Sequence, residues 1–270
     1  MPSLLDYKQE DKGVFALFKG DSGCGKSTAA LSFPNAYVFD HDRKMPGIAL
    51  KHFPGRTDIA WDTFDDVFQL QDKINEFLIS CPYETLISDS LTHLVINVFN
   101  TAGQMRNEDP VKFIKDMKLS GGQKNSEMTK MSIDYYNAET NFIERYWLNV
   151  LKRLWARPGN PRNVIVTAHV MTVESSPDLR SKEITRTRGI VTAGKKVGAY
   201  VPTEFDDMWH FGYESSFDPN KPSNTRICLF DAVGEDSAKC TVPKIPTKID
   251  WTGKSFYNEL QKWQKGDISL

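Results

Sequence analysis

Short apolar runs alternate with amphipathic stretches along the chain. The runs predicted to be buried strands are Val14–Phe18, Ala36–Phe39, Tyr83–Ser90 and Asn163–Ala168. A further apolar stretch lies near Ile59. Between them, apolar residues recur at helical spacing, as in Phe64–Ile79. Strands and helices in this alternation predict an α/β fold with a doubly wound, mainly parallel sheet.

The helices carry specific boundary and packing signals. Thr63 is the predicted N-cap of the helix over Phe64–Ile79, with Asp66 three residues further on. Leu91–Phe99 is also predicted to be helical. Aromatic and aliphatic residues recur at helical spacing from Phe142 to Trp155. At this spacing, core packing explains the stripe better than base stacking.

The last part of the chain has a different pattern. Two strands, Phe205–Tyr213 and Thr225–Phe230, are predicted to form a C-terminal β-hairpin, which a short strand near Lys239–Val242 could extend. A final helix then follows. We expect a single domain over residues 1–270, with the core at about 13–213 and the hairpin and last helix at 214–270. Residues 101–130 are the least regular and predict a long excursion.

One loop motif dominates the candidate chemistry. Between the first strand and a helix, the chain reads G-x-x-x-x-G-K-S, the pattern of a phosphate-binding loop. Its glycines let backbone N–H groups face phosphate oxygens at a helix N-terminus. Lys26 would reach the β- and γ-phosphates of ATP, and Ser27 would bind Mg²⁺. The predicted nucleotide-binding residues are Gly20, Asp21, Ser22, Gly23, Cys24, Gly25, Lys26, Ser27 and Thr28.

Three later strands also end in polar side chains. The strand over 36–39 is followed by Asp40 and Asp42. The strand over 83–90 carries Asp89 at its carboxyl end, and His169 ends the strand over 163–168. Ligands bind at the carboxyl ends of strands in a parallel sheet. Asp89 is therefore the expected second anchor of the magnesium site, although a helix N-cap would explain it too.

Composition narrows the choice of partners. The 270 residues include 34 basic and 35 acidic side chains, so any nucleic-acid partner must meet a local patch. The four cysteines form no metal-binding pattern, which favours reduced thiols. No apolar run is long enough for a bilayer, so we expect no membrane partner and a cytoplasmic location. The basic residues that could form a patch are Arg180, Lys182, Arg186, Arg188, Lys195 and Lys196.

Taken together, the ordered motifs resemble the RecA-like P-loop ATPases. The closest likeness is to the RecA-core-only proteins that bacteriophages encode for single-strand annealing and recombination, the Sak type. The motifs that carry it are Gly20–Ser27, Phe39–Asp42, Leu86–Ser90, Val164–His169 and Pro202–Trp209. The likeness extends over residues 14–242. It implies an ATPase in the host cytoplasm that binds single-stranded DNA and forms a ring or filament. It also implies a single-strand-binding protein as a partner, which the family often has.

The resemblance also implies residue roles. Lys26 and Ser27 would bind phosphate and Mg²⁺, and Asp89 would complete the metal shell. Asp42 matches the catalytic glutamate but is one methylene shorter, and Asp40 competes for the role of general base. His169 occupies the position of a γ-phosphate sensor. The basic segment from Arg180 to Lys196 would hold DNA, and the trans-acting candidates for a neighbouring subunit's site are Lys239 and Arg226.

Other functions remain open at this stage. A RecA-type helicase or loader motor would share every motif. A P-loop small-molecule kinase would use the same lysine and serine for phosphoryl transfer, although the basic, glycine-containing segment argues against it. Because Asp42 stands in place of the family's glutamate, a binding module with a decayed ATPase site is a further alternative.

Overall fold

The computed structural model describes residues 13–105, 136–157, 162–174, 186–192, 195–215, 224–242 and 245–265. Within these residues, nine strands form one sheet with the order β3-β2-β4-β5-β1-β7-β8-β9, and β6 pairs with β5. The strands are β1 (Phe15–Gly20), β2 (Ala36–Asp40), β3 (Ile59–Asp62), β4 (Thr85–Asp89), β5 (Asn163–Glu174), β6 (Arg186–Ile190), β7 (Asp207–Ser215), β8 (Asn224–Leu229) and β9 (Lys248–Asp250).

Helices cover both faces of the sheet. They are α1 (Lys26–Leu31), α2 (Met45–His52), α3 (Val67–Ile79), α4 (Leu91–Met105), a π-helix (Asn141–Trp147) that continues as α5 (Leu148–Trp155), α6 (Lys195–Tyr200), a 3₁₀ turn (Val201–Glu204) and α7 (Phe256–Lys265). The six strands from β3 to β7 along the sheet pair in parallel, whereas β8 and β9 pair antiparallel. The predicted α/β fold, mainly parallel sheet and β7–β8 hairpin are confirmed.

Strand register brings the polar strand ends together. Gly20 pairs with His169 on one side and Phe211 on the other, so the loop after β1 starts beside the end of the predicted β5 run. Asp40 pairs with Asp89 in the same way. Because parallel strands share direction, all these residues meet at one edge of the sheet.

Alternating side chains of β1 supply both halves of the core. Phe15 and Leu17 face the layer that contains α3, α4 and α5, and Ala16 and Phe18 face the layer that contains α1 and α7. The stripe from the π-helix into α5 is buried against the sheet, which confirms its interpretation as core. Burial of one leucine-sized or phenylalanine-sized side chain stabilises the folded state by roughly 1.5–3 kcal/mol relative to leaving it exposed.

Several predicted boundaries were wrong. Asp66, not Thr63, caps α3, because its carboxylate accepts the N–H groups of Phe68 and Gln69 at 2.9 Å. Near the predicted strand over 239–242, only the single bridge Met208–Lys239 forms; β9 extends the hairpin instead. The helix α2 (Met45–His52) was not predicted from the sequence. Residues 106–135, most of the predicted excursion, lie outside the described residues.

Candidate nucleotide-binding and hydrolysis site

The loop between β1 and α1 has the backbone that the motif predicts. Gly20, Gly23 and Gly25 all have positive φ, and Gly25 is the left-handed residue before α1. A Cβ at Gly20 would lie 2.2 Å from the Phe211 carbonyl oxygen, so this position requires glycine. A Cβ at Gly23 would have nothing within 4 Å, so this turn of the loop is open. The open turn leaves room for a phosphate above the loop.

Lys26 lies under the loop and is buried. Its ammonium donates hydrogen bonds to the carbonyl oxygens of Gly20 at 3.0 Å and Asp21 at 2.8 Å. The same Nζ lies 3.7 Å from the Cys24 sulfur. Burial raises the pKa of the Cys24 thiol, which the nearby Lys26 charge partly offsets. The Lys26 ammonium is thus held at the loop by acceptors, and a bound phosphate would add further acceptors to this set.

Ser27 and Asp89 form the predicted magnesium pair. Asp89 is buried at the end of β4 and is hydrogen-bonded to the hydroxyls of Thr167 and Ser27. Burial raises the pKa of the Asp89 carboxyl, and these two hydroxyls act in the opposite direction. A hydroxyl and a carboxylate in contact at a P-loop are the ligand types that Mg²⁺ prefers. The arrangement therefore fits a magnesium ion.

Asp40 and Asp42 have separate surroundings. Asp40 is fully buried, and its carboxylate accepts the backbone N–H groups of Lys44 at 3.2 Å and Met45 at 2.9 Å. It therefore anchors the start of α2. Asp42 instead pairs with His93 Nδ1 and accepts a hydrogen bond from the Ser90 hydroxyl at 2.9 Å. Asp40 therefore has a structural role at the start of α2, whereas Asp42 is paired with the imidazole of His93.

His169 lies where a nucleotide sensor is expected. Its Nδ1 is 3.5 Å from Lys26 Nζ, which connects β5 directly to the phosphate loop. Burial lowers the pKa of His169, and the positive charge of Lys26 lowers it further. Its imidazole is therefore favoured in the neutral form, which can accept a hydrogen bond. The sensor role itself stays a prediction.

A cavity of about 340 Å³ opens beside the phosphate loop. Thr28, the predicted binding residue after Ser27, lines one wall, and His52, Arg226 and Trp251 line others. Trp251 is 2% exposed, and among the described residues its indole Nε1 has no hydrogen-bond partner. The Arg226 guanidinium lies 5.2 Å from the centre of the Trp251 ring. The cavity therefore lies at the start of α1, with Arg226 stacked on Trp251 at one wall.

The predicted DNA-binding residues fall partly on a hairpin arm, defined as β5 beyond His169 together with β6. In this arm, Val170–Glu174 pair antiparallel with Arg186–Ile190. Arg188 pairs with Asp21 of the phosphate loop and lies 3.6 Å from Asp236. Arg186 belongs to β6, and Lys195 and Lys196 begin α6. Arg180 and Lys182 lie outside the described residues.

The two trans-acting candidates both contact their own chain. Arg226 lies in the cavity beside the phosphate loop, where its Cδ would be 3.6 Å from a Cβ added at Gly25. The Lys239 ammonium donates a hydrogen bond to the Phe205 carbonyl oxygen. A single chain does not test contacts between subunits, so these roles remain predictions.

A phosphate loop at the strand ends of a mainly parallel sheet, with a serine–aspartate pair beneath it, defines a nucleotide-binding P-loop ATPase. The chain belongs to the AAA domain family, whose profile matches residues 12–232. No curated protein matches it closely enough to count as a relative. ATP and Mg²⁺ are the ligands typical of this class. In the described ranges, no helix combines the length and apolar character needed to cross a bilayer.

Sequence reasoning missed three residues that shape this site. His93 lies four positions after Asp89 in α4, Thr167 precedes the predicted β5 end, and Trp251 follows β9. A histidine one turn into the helix that follows a candidate metal aspartate was a usable signal for the first. Neither Thr167 nor Trp251 belongs to a motif, so only the fold brings them to the site.

Proposed function

We propose that this protein is a DNA-stimulated ATPase that binds single-stranded DNA and acts in phage recombination or single-strand annealing, as Sak-type proteins do. The observation that carries the proposal is the hairpin arm. Its first strand is the continuation of β5, the same strand that places His169 beside Lys26. A ligand held by the arm would act on the phosphate loop through one continuous strand.

The nucleotide end of the proposal rests on the phosphate loop. Lys26 would bind the β- and γ-phosphates, the loop N–H groups would surround them, and the base would enter the cavity by Thr28. Ser27 and Asp89 would hold Mg²⁺, whose charge would offset that of the phosphates. Water exclusion and orientation then depend on the side chains at the ends of β2, β4 and β5.

The DNA end of the proposal rests on charge and connection. The sequence from Arg180 to Lys196 carries six basic residues and the single acid Glu183. Such a segment binds the phosphate backbone without reading sequence, and binding weakens as salt rises. Arg188 is already paired with two carboxylates, which suits a coupling role better than direct DNA contact.

The proposal extends to assembly. We infer that the protein acts as a homo-oligomeric ring or filament on single-stranded DNA, and that a single-strand-binding protein cooperates with it. Support comes from the family resemblance of the ordered motifs. Size-exclusion chromatography with light scattering, with and without ATP and DNA, would measure the oligomeric state.

The test of this function is steady-state ATP hydrolysis with and without single-stranded DNA, at low and high salt. We expect DNA to raise the rate several-fold at low salt, and high salt to remove the stimulation. Lys26→Ala should abolish hydrolysis under all conditions. Replacing Arg180 and Lys182 by Ala should lower DNA affinity about uniformly across sequences.

The matched control replaces Lys262 and Lys265, two basic residues of α7, by Ala. This control loses the same charge far along the chain from the arm and should bind DNA normally. Hydrolysis that ignores DNA, together with no DNA bound at low salt, would contradict the proposal. Hydrolysis that needs a small metabolite would identify a kinase instead.

A further inference from the structure

The acid expected to activate water is directed at a histidine. Asp42 has a side chain only 7% exposed, and its Oδ1 pairs with His93 Nδ1. The Ser90 hydroxyl lies 2.9 Å from the same carboxylate oxygen and 3.2 Å from His93 Nδ1. The other oxygen of Asp42 lies 3.7 Å from Lys44 Nζ. The carboxylate is thus occupied by three neighbours and has little surface left for water.

His93 is better placed to meet water. Its side chain is 36% exposed, and its ring centre lies 6.5 Å from that of His169, which contacts Lys26. Within the described residues, the polar side-chain contacts of His93 all involve Nδ1. A carboxylate that accepts the Nδ1 proton fixes the tautomer in which Nε2 carries a lone pair. Nε2 is therefore available as a proton acceptor, in a ring that lies beside His169.

We propose that His93 is the general base of ATP hydrolysis and that Asp42 is its positioning residue, so that an Asp–His pair replaces a single catalytic carboxylate. This inference rests on the ATPase function proposed above. It also explains why a carboxylate one methylene shorter than glutamate suffices at Asp42: the imidazole ring extends its reach.

The proposed step is balanced as follows. His93 Nε2 takes one proton from water while the water oxygen forms a bond to the γ-phosphorus. The bond between the γ-phosphorus and the β,γ-bridging oxygen breaks, and its electron pair leaves with ADP. The proton on the imidazolium then passes to solvent. Asp42 stays ionised throughout and stabilises the imidazolium.

A metal ion is the competing use of these side chains. One ligand atom each from Asp42, His93 and His169 lie within 4.8 Å of one another. The Lys26 ammonium, however, is 3.5 Å from His169 Nδ1, and Lys44 lies beside Asp42. Two fixed positive charges oppose a bound cation. The arrangement therefore favours proton transfer over metal binding.

The experiment measures kcat, KM and the affinity for a fluorescent ATP analogue in the full-length protein. His93→Ala should lower kcat by about 100-fold or more with little change in nucleotide affinity, since general bases contribute about 10²–10⁴-fold. Added imidazole should restore part of the rate to His93→Ala. Asp42→Asn should lower kcat as well, and imidazole should not rescue it. Ile96→Ala, on the exposed side of α4, is the matched control and should behave as wild type.

Three outcomes would overturn the inference. One is wild-type kcat in His93→Ala while Asp42→Asn is inactive, which would make Asp42 itself the base. Another is loss of activity in His93→Ala without any rescue by imidazole. The third is one equivalent of tightly held transition metal that His93→Ala loses. A wild-type protein that binds no nucleotide, or whose hydrolysis survives Lys26→Ala, would instead refute the ATPase proposal.

Discussion

The Arg188 guanidinium pairs with the Asp21 carboxylate, although the two residues are 167 positions apart. Asp21 is the second residue of the phosphate loop, and Arg188 lies on the hairpin arm. The backbone carbonyl of Arg188 also accepts a hydrogen bond from Lys19 Nζ at 3.3 Å, one residue before the loop. The arm is therefore tied to the phosphate loop by a side chain and by its backbone.

This pair predicts a coupling phenotype. Arg188→Ala should remove most of the DNA stimulation of ATP hydrolysis while basal hydrolysis and folding stay near wild type, because partly exposed ion pairs contribute only about 0–1 kcal/mol. A double-mutant cycle with Asp21→Asn measures the coupling. Equal stimulation in wild type and Arg188→Ala would show that the pair carries no signal.

Asp89 predicts a conflict between stability and function. Because burial raises its pKa, the folded state binds more protons than the unfolded state, so this carboxyl lowers stability as the pH rises from its unfolded pKa through its raised folded pKa. Asp89→Asn keeps the shape and can still accept the Thr167 hydrogen bond. It should unfold at a higher temperature at pH 7 and lose Mg²⁺-dependent hydrolysis by about 100-fold. Calorimetry and an ATPase assay test both parts, and a lower melting temperature would contradict the first.

His41 predicts an acid-sensitive fold. It is fully buried against the Ser88 hydroxyl at 3.1 Å, and burial lowers its pKa to about 3 from the model-peptide value of 6.5. The unfolded chain therefore binds the proton first as the pH falls below 6.5. His41 alone should cost about 2 kcal/mol of stability between pH 7.5 and pH 5.

Urea unfolding at the two pH values measures this loss. His41→Gln should show a smaller loss than wild type, because an amide does not titrate. His210, with a pKa lowered to about 4 by burial, adds a second and independent loss in the same window. Identical pH dependence in wild type and His41→Gln would show that His41 is not the buried neutral histidine.

Gly20 and Gly23, two of the three loop glycines, predict unequal costs on substitution. Gly20→Ala would place a Cβ 2.2 Å from the Phe211 carbonyl oxygen and 2.9 Å from the Cys24 sulfur, so the strands must separate, at about 3 kcal/mol or more. Gly23→Ala meets open space and adds only left-handed strain of about 1–2 kcal/mol. Thermal unfolding of the two variants compares these costs, and equal losses would contradict the close packing at Gly20.

Arg226 predicts an outcome in mixed oligomers. Arg226 lies beside the phosphate loop of its own chain, and we expect it to act there, although the resemblance made it a candidate for a neighbouring subunit's site. Mixing Lys26→Ala with Arg226→Ala should therefore give no more ATP hydrolysis than the two proteins give separately. Restored hydrolysis would show that Arg226 completes the site of its neighbour. Lys239→Ala should mainly lower stability, since Lys239 holds the Phe205 carbonyl.

Local sequence patterns predicted the short-range parts of this protein. The phosphate loop, the buried strands and the position of Asp89 at a strand end all depend on residues close together in the chain, where glycine conformation and apolar periodicity decide the outcome. The parallel α/β class followed from their order. Strand ends of a parallel sheet meet at one edge, so Lys26, Asp89 and His169 were expected together.

The partner of each polar side chain, in contrast, depends on the three-dimensional packing of the fold. Asp40 caps the start of α2 and Asp42 pairs with His93, although the two acids are only two positions apart in sequence. Arg188 forms an ion pair with Asp21, and the Trp251 ring packs against Gly25. Such contacts join residues from distant segments and depend on strand register and helix packing to within an ångström. A local sequence pattern does not encode distances between distant segments. The phosphate loop could therefore be predicted from the sequence, whereas the side chains that contact it could not.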